Sequence, residues 1–85
     1  LIIDLEEHAF VRLTDRSCQF GLNTYESLER IKETIIEGKL SSSKYSRCHL
    51  VYYKYFNDNL SFFVVCRKCR RGFVVKTVII TEGRE

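Results

Sequence analysis

The chain contains no proline, no tryptophan and no methionine, and only four glycines among its 85 residues. The missing methionine, an initiator included, points to a piece of a longer polypeptide. The longest uninterrupted apolar stretches are only a few residues, far short of the roughly 20 that a membrane-spanning helix needs. A secretory leader is not expected, because Leu1-Ile2-Ile3 runs straight into Asp4, Glu6 and Glu7. Scarce glycine and long periodic segments also argue against a loop-rich scaffold held by disulfides. Cys18, Cys48, Cys66 and Cys69 could pair in three ways, but free thiols and a reducing site of action are expected. What is present in quantity is apolar surface. At 45% hydrophobic residues the chain is too apolar to stay disordered, and its length allows one domain with one small core.

Charge is unevenly spread. Residues 1–43 hold eight acids against five bases, whereas residues 44–85 hold nine bases against three acids. A basic second half points to an anionic partner, with nucleic acid the commonest choice; a merely solubilising surface is the plainer alternative.

Periodicity predicts a helix from Asp4 to about Ser17, with Leu5, Ala9 and Leu13 as its apolar stripe and acids near its start suiting the helix dipole. Gly21 and Asn23 mark a break. A second helix is expected from about Thr24 to Glu37, carrying Tyr25, Leu28, Ile31, Ile35 and Ile36 at helical spacing. Asn23 and Glu26 resemble a capping box at its start, and Gly38 a C-terminal cap at its end. Ser41-Ser42-Ser43 reads as a loop. Beyond it lie three strands, His49–Phe56, Leu60–Val65 and Phe73–Ile80, separated by the Asn57-Asp58-Asn59 turn and by a basic turn over 67–72. Lys44–Arg47 would add a short edge or extend the first of these strands. The fold class is therefore α+β, with two N-terminal helices packed on one face of an antiparallel β-meander of three to four strands, in a single domain over 1–85.

His8, Arg12 and Arg16 recur at i, i+4 and i+8, a polar stripe beside the apolar one. It sets an imidazole, which titrates near neutrality, next to a guanidinium, which presents a planar fork to phosphate oxygens. That pairing suits phosphodiester cleavage; an ordinary solvated helix face is the alternative. In the second half, Arg47 and Lys54 flank the aromatic run Tyr52, Tyr53, Tyr55, Phe56. Alternation along the last strand groups Val75, Thr77 and Ile79 on one face and Lys76, Val78 and Ile80 on the other. Interleaved aromatics and bases suit base stacking with phosphate neutralisation, although most Tyr and Phe side chains of so small a domain belong in its core.

Cys66-Arg67-Lys68-Cys69-Arg70-Arg71-Gly72 has the form of half a zinc ribbon. The second half is missing, since Cys48 and His49 are adjacent and Cys18 is isolated. The reading preferred is that Arg67, Lys68, Arg70 and Arg71 attract phosphates, with no metal or other cofactor.

Taken together, His8-Ala9-Phe10-Val11-Arg12, Arg16, a second helix ending in Glu37-Gly38-Lys39, Arg47 at the meander's start and Val75-Lys76-Thr77-Val78 near the end resemble a RelE-like toxin domain. More broadly the pattern resembles the barnase/EndoU/colicin/RelE group, which includes small toxin–antitoxin proteins and the C-terminal toxin domains of contact-dependent growth inhibition systems. The resemblance implies a metal-independent endoribonuclease, often acting on tRNA, neutralised by a cognate immunity or antitoxin protein. It implies action in the bacterial cytoplasm, in some cases after delivery from the C-terminus of a cell-surface exoprotein. It makes His8, Arg12, Arg47 and Thr77 the catalytic set. Some relatives carry a Tyr two residues after that Thr, where this chain has Ile79; Tyr45, Tyr52, Tyr53 or Tyr55 would have to replace it, or it is absent.

The expected chemistry is attack of the substrate's own 2′-hydroxyl on the adjacent phosphate. His8 exchanges the proton, Arg12 and Arg47 stabilise the charge on phosphate oxygens, and Thr77 orients the phosphate. Arg16, Lys54, Arg67, Lys68, Arg70, Arg71 and Lys76 supply salt-sensitive RNA affinity. The rival expectation is a non-catalytic basic module that binds RNA or a protein.

Overall fold

The computed structural model describes residues 2–41 and 49–84. Along the chain run β1 (Ile2–Leu5), α1 (Glu7–Gln19), α2 (Thr24–Glu37), β2 (Lys39–Ser41), β3 (Leu50–Tyr55), β4 (Leu60–Cys69) and β5 (Gly72–Glu82). The strands form one sheet in the order β1-β5-β4-β3-β2. The two helices pack on one face of it, as expected, but the sheet has five strands and is mixed. β1 runs parallel to β5 while the other neighbours are antiparallel.

Residues 2–5 form a strand where a helix from Asp4 was expected, and α1 begins at Glu7. Leu5, Ala9 and Leu13 imitate a helical stripe because all three do face the core. Leu5, however, gets there by strand alternation with Ile3 rather than by a turn of helix. β1 lies so close to β5 that a Cβ on Gly72 would overlap the backbone of Ile2. Only glycine permits that approach.

Three further expectations change. β2 occupies Lys39–Ser41, so Ser41 belongs to a strand and not to a loop; Ser42, Ser43 and Lys44–Arg47 lie outside the described residues. β4 continues through Cys69, so the basic turn shrinks to Arg70 and Arg71. Gly38 caps α2 by donating its N–H to the Thr34 carbonyl at 2.9 Å, but its φ of −76° is ordinary. The glycine is required there because a Cβ would run into the Thr34 and Tyr53 carbonyl oxygens. At the other end of α2, Asn23 Oδ1 accepts the Glu26 N–H at 2.7 Å, as the sequence predicted.

An irregularity between β4 and β5 shapes the site. Val65 pairs with Thr77, yet Cys66 pairs with Val75, leaving Lys76 as an extra residue on β5. This β-bulge resets the alternation. Val75 therefore joins Val78 and Ile80 against the helices, all three buried, instead of sharing a face with Thr77 and Ile79. The core these residues build with Phe62, Val64 and Cys66 is closed by Ala9 and Leu13 of α1 and by Ile31 and Ile35 of α2. Between the helices, the buried Ser17 and Ser27 hydroxyls hydrogen-bond at 2.6 Å. Small side chains thus let the helices meet without leaving a polar atom unmet.

A polar clamp fastens α2 to the β3–β4 turn. The Arg30 guanidinium donates to both Asp58 carboxylate oxygens, at 2.9 and 2.7 Å, and lies 4.8 Å above the Phe56 ring. The hydrogen bond from Arg30 holds the Asp58 carboxyl below its ordinary pKa. A carboxylate with a depressed folded-state pKa stabilises fully above its unfolded value, near 3.9, and progressively less as pH falls through the lower folded value. Asp58→Asn should therefore cost up to about 1 kcal/mol at neutral pH, the pair being partly solvated. In urea titrations the two midpoints should converge as pH falls through that lowered folded-state value. A gap that persists in acid would show that the effect is not electrostatic.

Candidate functional site

Because β1 pairs with β5 only as far as Val75, α1 takes over along the rest of that edge. The Glu6 N–H donates to the Val75 carbonyl at 3.1 Å, and the Arg16 guanidinium donates to the Val78 carbonyl. Covering an edge in this way satisfies its backbone groups. It also stands the polar stripe of α1 beside the sheet face that the helices leave open.

The result is a cleft of about 410 Å³. His8, Arg12 and Arg16 form one wall; Lys76, Thr77 and Ile79 of β5, Val65 of β4 and His49 just before β3 form the rest. The bulge at Lys76 explains why two successive residues, Lys76 and Thr77, both reach the cleft where regular alternation would send one of them away. Lys76 Nζ meets the Glu6 carboxylate at 2.7 Å. The hydrogen bond from Lys76 holds the Glu6 carboxyl below its ordinary pKa, against the opposing effect of desolvation. Arg12 makes no ion pair among the described residues, and its guanidinium carries five N–H donors.

The structure therefore brings together His8, Arg12, Arg16, Lys76 and Thr77 from elements far apart in the chain. Arg47 lies outside the described residues. Lys54 sits on the helix side, 3.5 Å from Glu33 and over the Phe56 ring, away from this cleft. Arg67, Lys68, Arg70 and Arg71 are exposed at the β4–β5 hairpin beyond the bulge. Ile79 presents an aliphatic wall where the resemblance led to a Tyr. Of the tyrosines considered in its place, Tyr52 packs edge-on to Phe73 at 5.7 Å, and burial raises its phenol pKa. Tyr53 and Tyr55 lie on the open face by alternation, and Tyr45 is outside the described residues.

His49 is the cleft residue that the sequence reading missed. In the sequence it stands out only as the neighbour of Cys48 in a metal site. Parity carries the missing signal: in a strand beginning at His49, that residue shares a face with Val51, which pairs through Val65 to Thr77. Cys48 lies outside the described residues, and among the described residues the other cysteines do not form a matching centre. Cys66 is buried, and burial pushes its thiol up to about 11, while Cys69, three residues along the same strand, is exposed and faces the other way. Among the described residues no three potential metal ligands cluster.

Two imidazoles, two guanidiniums, an ammonium and a hydroxyl thus converge on one concave surface. Such a set can hold a phosphate anion through bidentate and point-charge contacts and can pass protons on either side of it. No protein-family profile, curated protein or solved structure matches the chain.

Proposed function

We propose that the protein is an endoribonuclease that needs no metal and cleaves RNA by attack of the 2′-hydroxyl on the adjacent phosphate. The observation that carries this reading is the cleft itself, in which His8 of α1 and His49 at the start of β3 border the same space as Arg12, Arg16, Lys76 and Thr77. One imidazole takes the 2′-hydroxyl proton as the new oxygen–phosphorus bond forms. The other gives a proton to the departing 5′-oxygen as its bond to phosphorus breaks. Arg12 and Lys76 stabilise the charge that builds on the non-bridging oxygens, and Thr77 donates a hydrogen bond that orients the phosphate. Arg16, anchored to the sheet, holds the wall in place. The products are a 2′,3′-cyclic phosphate and a 5′-hydroxyl.

The RelE-like resemblance, carried in the sequence by His8, Arg12 and Thr77, adds to this reading. By that analogy alone, tRNA is a candidate substrate, a cognate immunity or antitoxin protein a candidate partner, and the bacterial cytoplasm the place of action. The exposed cationic hairpin, Arg67 to Arg71, favours a second reading, a basic module that binds RNA without turnover.

Incubating the purified chain with total bacterial RNA, with and without EDTA, separates the two. The proposal expects cleavage that resists EDTA and leaves cyclic phosphate ends. Intact RNA together with binding that weakens steeply as salt rises would establish the module instead.

A further inference from the structure

The open sheet face continues past the cleft. The register aligns Lys39, Tyr53, Phe63 and Ile79 in one row across β2, β3, β4 and β5. Paired residues on neighbouring strands point the same way, so this row lies on the open face. Ile79 lines the first cleft, whereas Tyr53 and Lys39 line a second hollow of about 300 Å³. The row is thus a bridge between the two. Along it the Tyr53 and Phe63 rings stack in a tilted pair with centroids 4.9 Å apart.

The next row on the same face, about 6.7 Å further along the strands, carries Tyr55, Ser61 and Thr81. Tyr55 has the Arg84 guanidinium over its ring at 5.1 Å, and its hydroxyl donates to Asn59 Oδ1 at 2.7 Å. Arg84 and Lys39 bring positive charge to this second hollow, and Glu37 is the acidic residue on its rim. Aromatic faces beside cations, in a shallow groove, suit unpaired bases joined by a phosphate backbone. A duplex would offer no base faces there.

We infer that the Tyr53–Phe63 pair and the Tyr55–Arg84 pair form a base-stacking platform that holds the single-stranded RNA segment leaving the cleft. The inference rests on the reading of the cleft as the phosphodiester site, and it specifies the substrate as single-stranded over several nucleotides. Bases stack on the rings in succession, while Lys39 and Arg84 neutralise the phosphates between them. Stacking reads no sequence, so the platform sets length dependence rather than base preference.

The test is binding of 2′-O-methyl oligonucleotides, which lack the attacking hydroxyl, followed by fluorescence anisotropy for lengths of two and six nucleotides. Affinity should rise steeply from dimer to hexamer. Tyr55→Ser and Arg84→Gln should each weaken the hexamer about tenfold and leave the dimer unchanged, with thermal midpoints reported alongside to show that both variants fold. Equal affinity for both lengths, no detectable hexamer binding, or equal losses for both lengths in the variants would each overturn the platform. Cleavage does not enter this readout. A platform that binds as expected in a protein that cuts no RNA would refute the nuclease reading alone, and cleavage without length dependence would refute the platform alone.

Discussion

His8→Ala should lower kcat/KM for RNA cleavage by about 10²–10⁴-fold, the range over which a positioned proton donor or acceptor contributes. His8 is exposed on the surface of α1, so the substitution should change the unfolding free energy by no more than about 0.5 kcal/mol. The loss would then belong to chemistry rather than to folding. His49→Ala should produce a loss of similar size. If the two imidazoles serve one concerted proton transfer, the double variant should fall well short of the product of the single losses, because groups that act as a unit are not additive. An unchanged kcat with a raised KM in His8→Ala would reassign that residue to holding the phosphate. Intact cleavage in both variants would refute the proton-transfer roles altogether.

What the sequence made legible follows from which signals were local. α2 was legible almost to the residue because its apolar period, its Asn23 cap and Gly38 all act within a few residues of chain. The helix-on-sheet class was legible because the period changes from helical to alternating midway along. β1 was not. Four residues carry too little alternation to stand out, and Leu5 falls in phase with the stripe of α1. Its strand character comes from a partner about 70 residues away, in the approach that Gly72 permits. The bulge at Lys76 was hidden for the same reason. Perfect alternation and a one-residue slip look alike in one strand, and only pairing with Val65 and Cys66 separates them. That slip matters to the site, since it turns Thr77 and Ile79 to the open face while Val75 stays in the core. The His8/Arg12/Arg16 stripe was visible because it lies on one helix. Its convergence with His49 and Thr77 needed the sheet.

The sharpest check on the two faces comes from neighbouring phenylalanines. Phe62 is wholly buried on the helix side of β4, edge-on to Phe56 with ring centroids 5.2 Å apart, and 5.8 Å below the Arg30 guanidinium. Phe62→Ala should cost about 3–5 kcal/mol, from lost apolar burial and from the cavity it leaves between α2 and the sheet. Native domains are stable by only about 5–15 kcal/mol in total, and each 1 kcal/mol shifts the midpoint of a domain this size by about 4–8 °C. A fall of at least about 12 °C is therefore expected. The clamp between Arg30 and Asp58 should weaken with it, since the guanidinium loses part of the aromatic surface it rests on. Molecules that stay folded should still bind and cleave RNA, because the cleft and the aromatic row lie on the opposite face. Phe63→Ala reverses the pattern. Phe63 is half-buried on the open face, so its truncation should cost less stability than that of Phe62 while weakening binding of a six-nucleotide strand. A Phe62→Ala loss below about 1 kcal/mol would be too small for a core aromatic and would contradict the helix-side core. Should Phe63→Ala prove the more destabilising of the two, the division between a packed face and a ligand-binding face would fail with it.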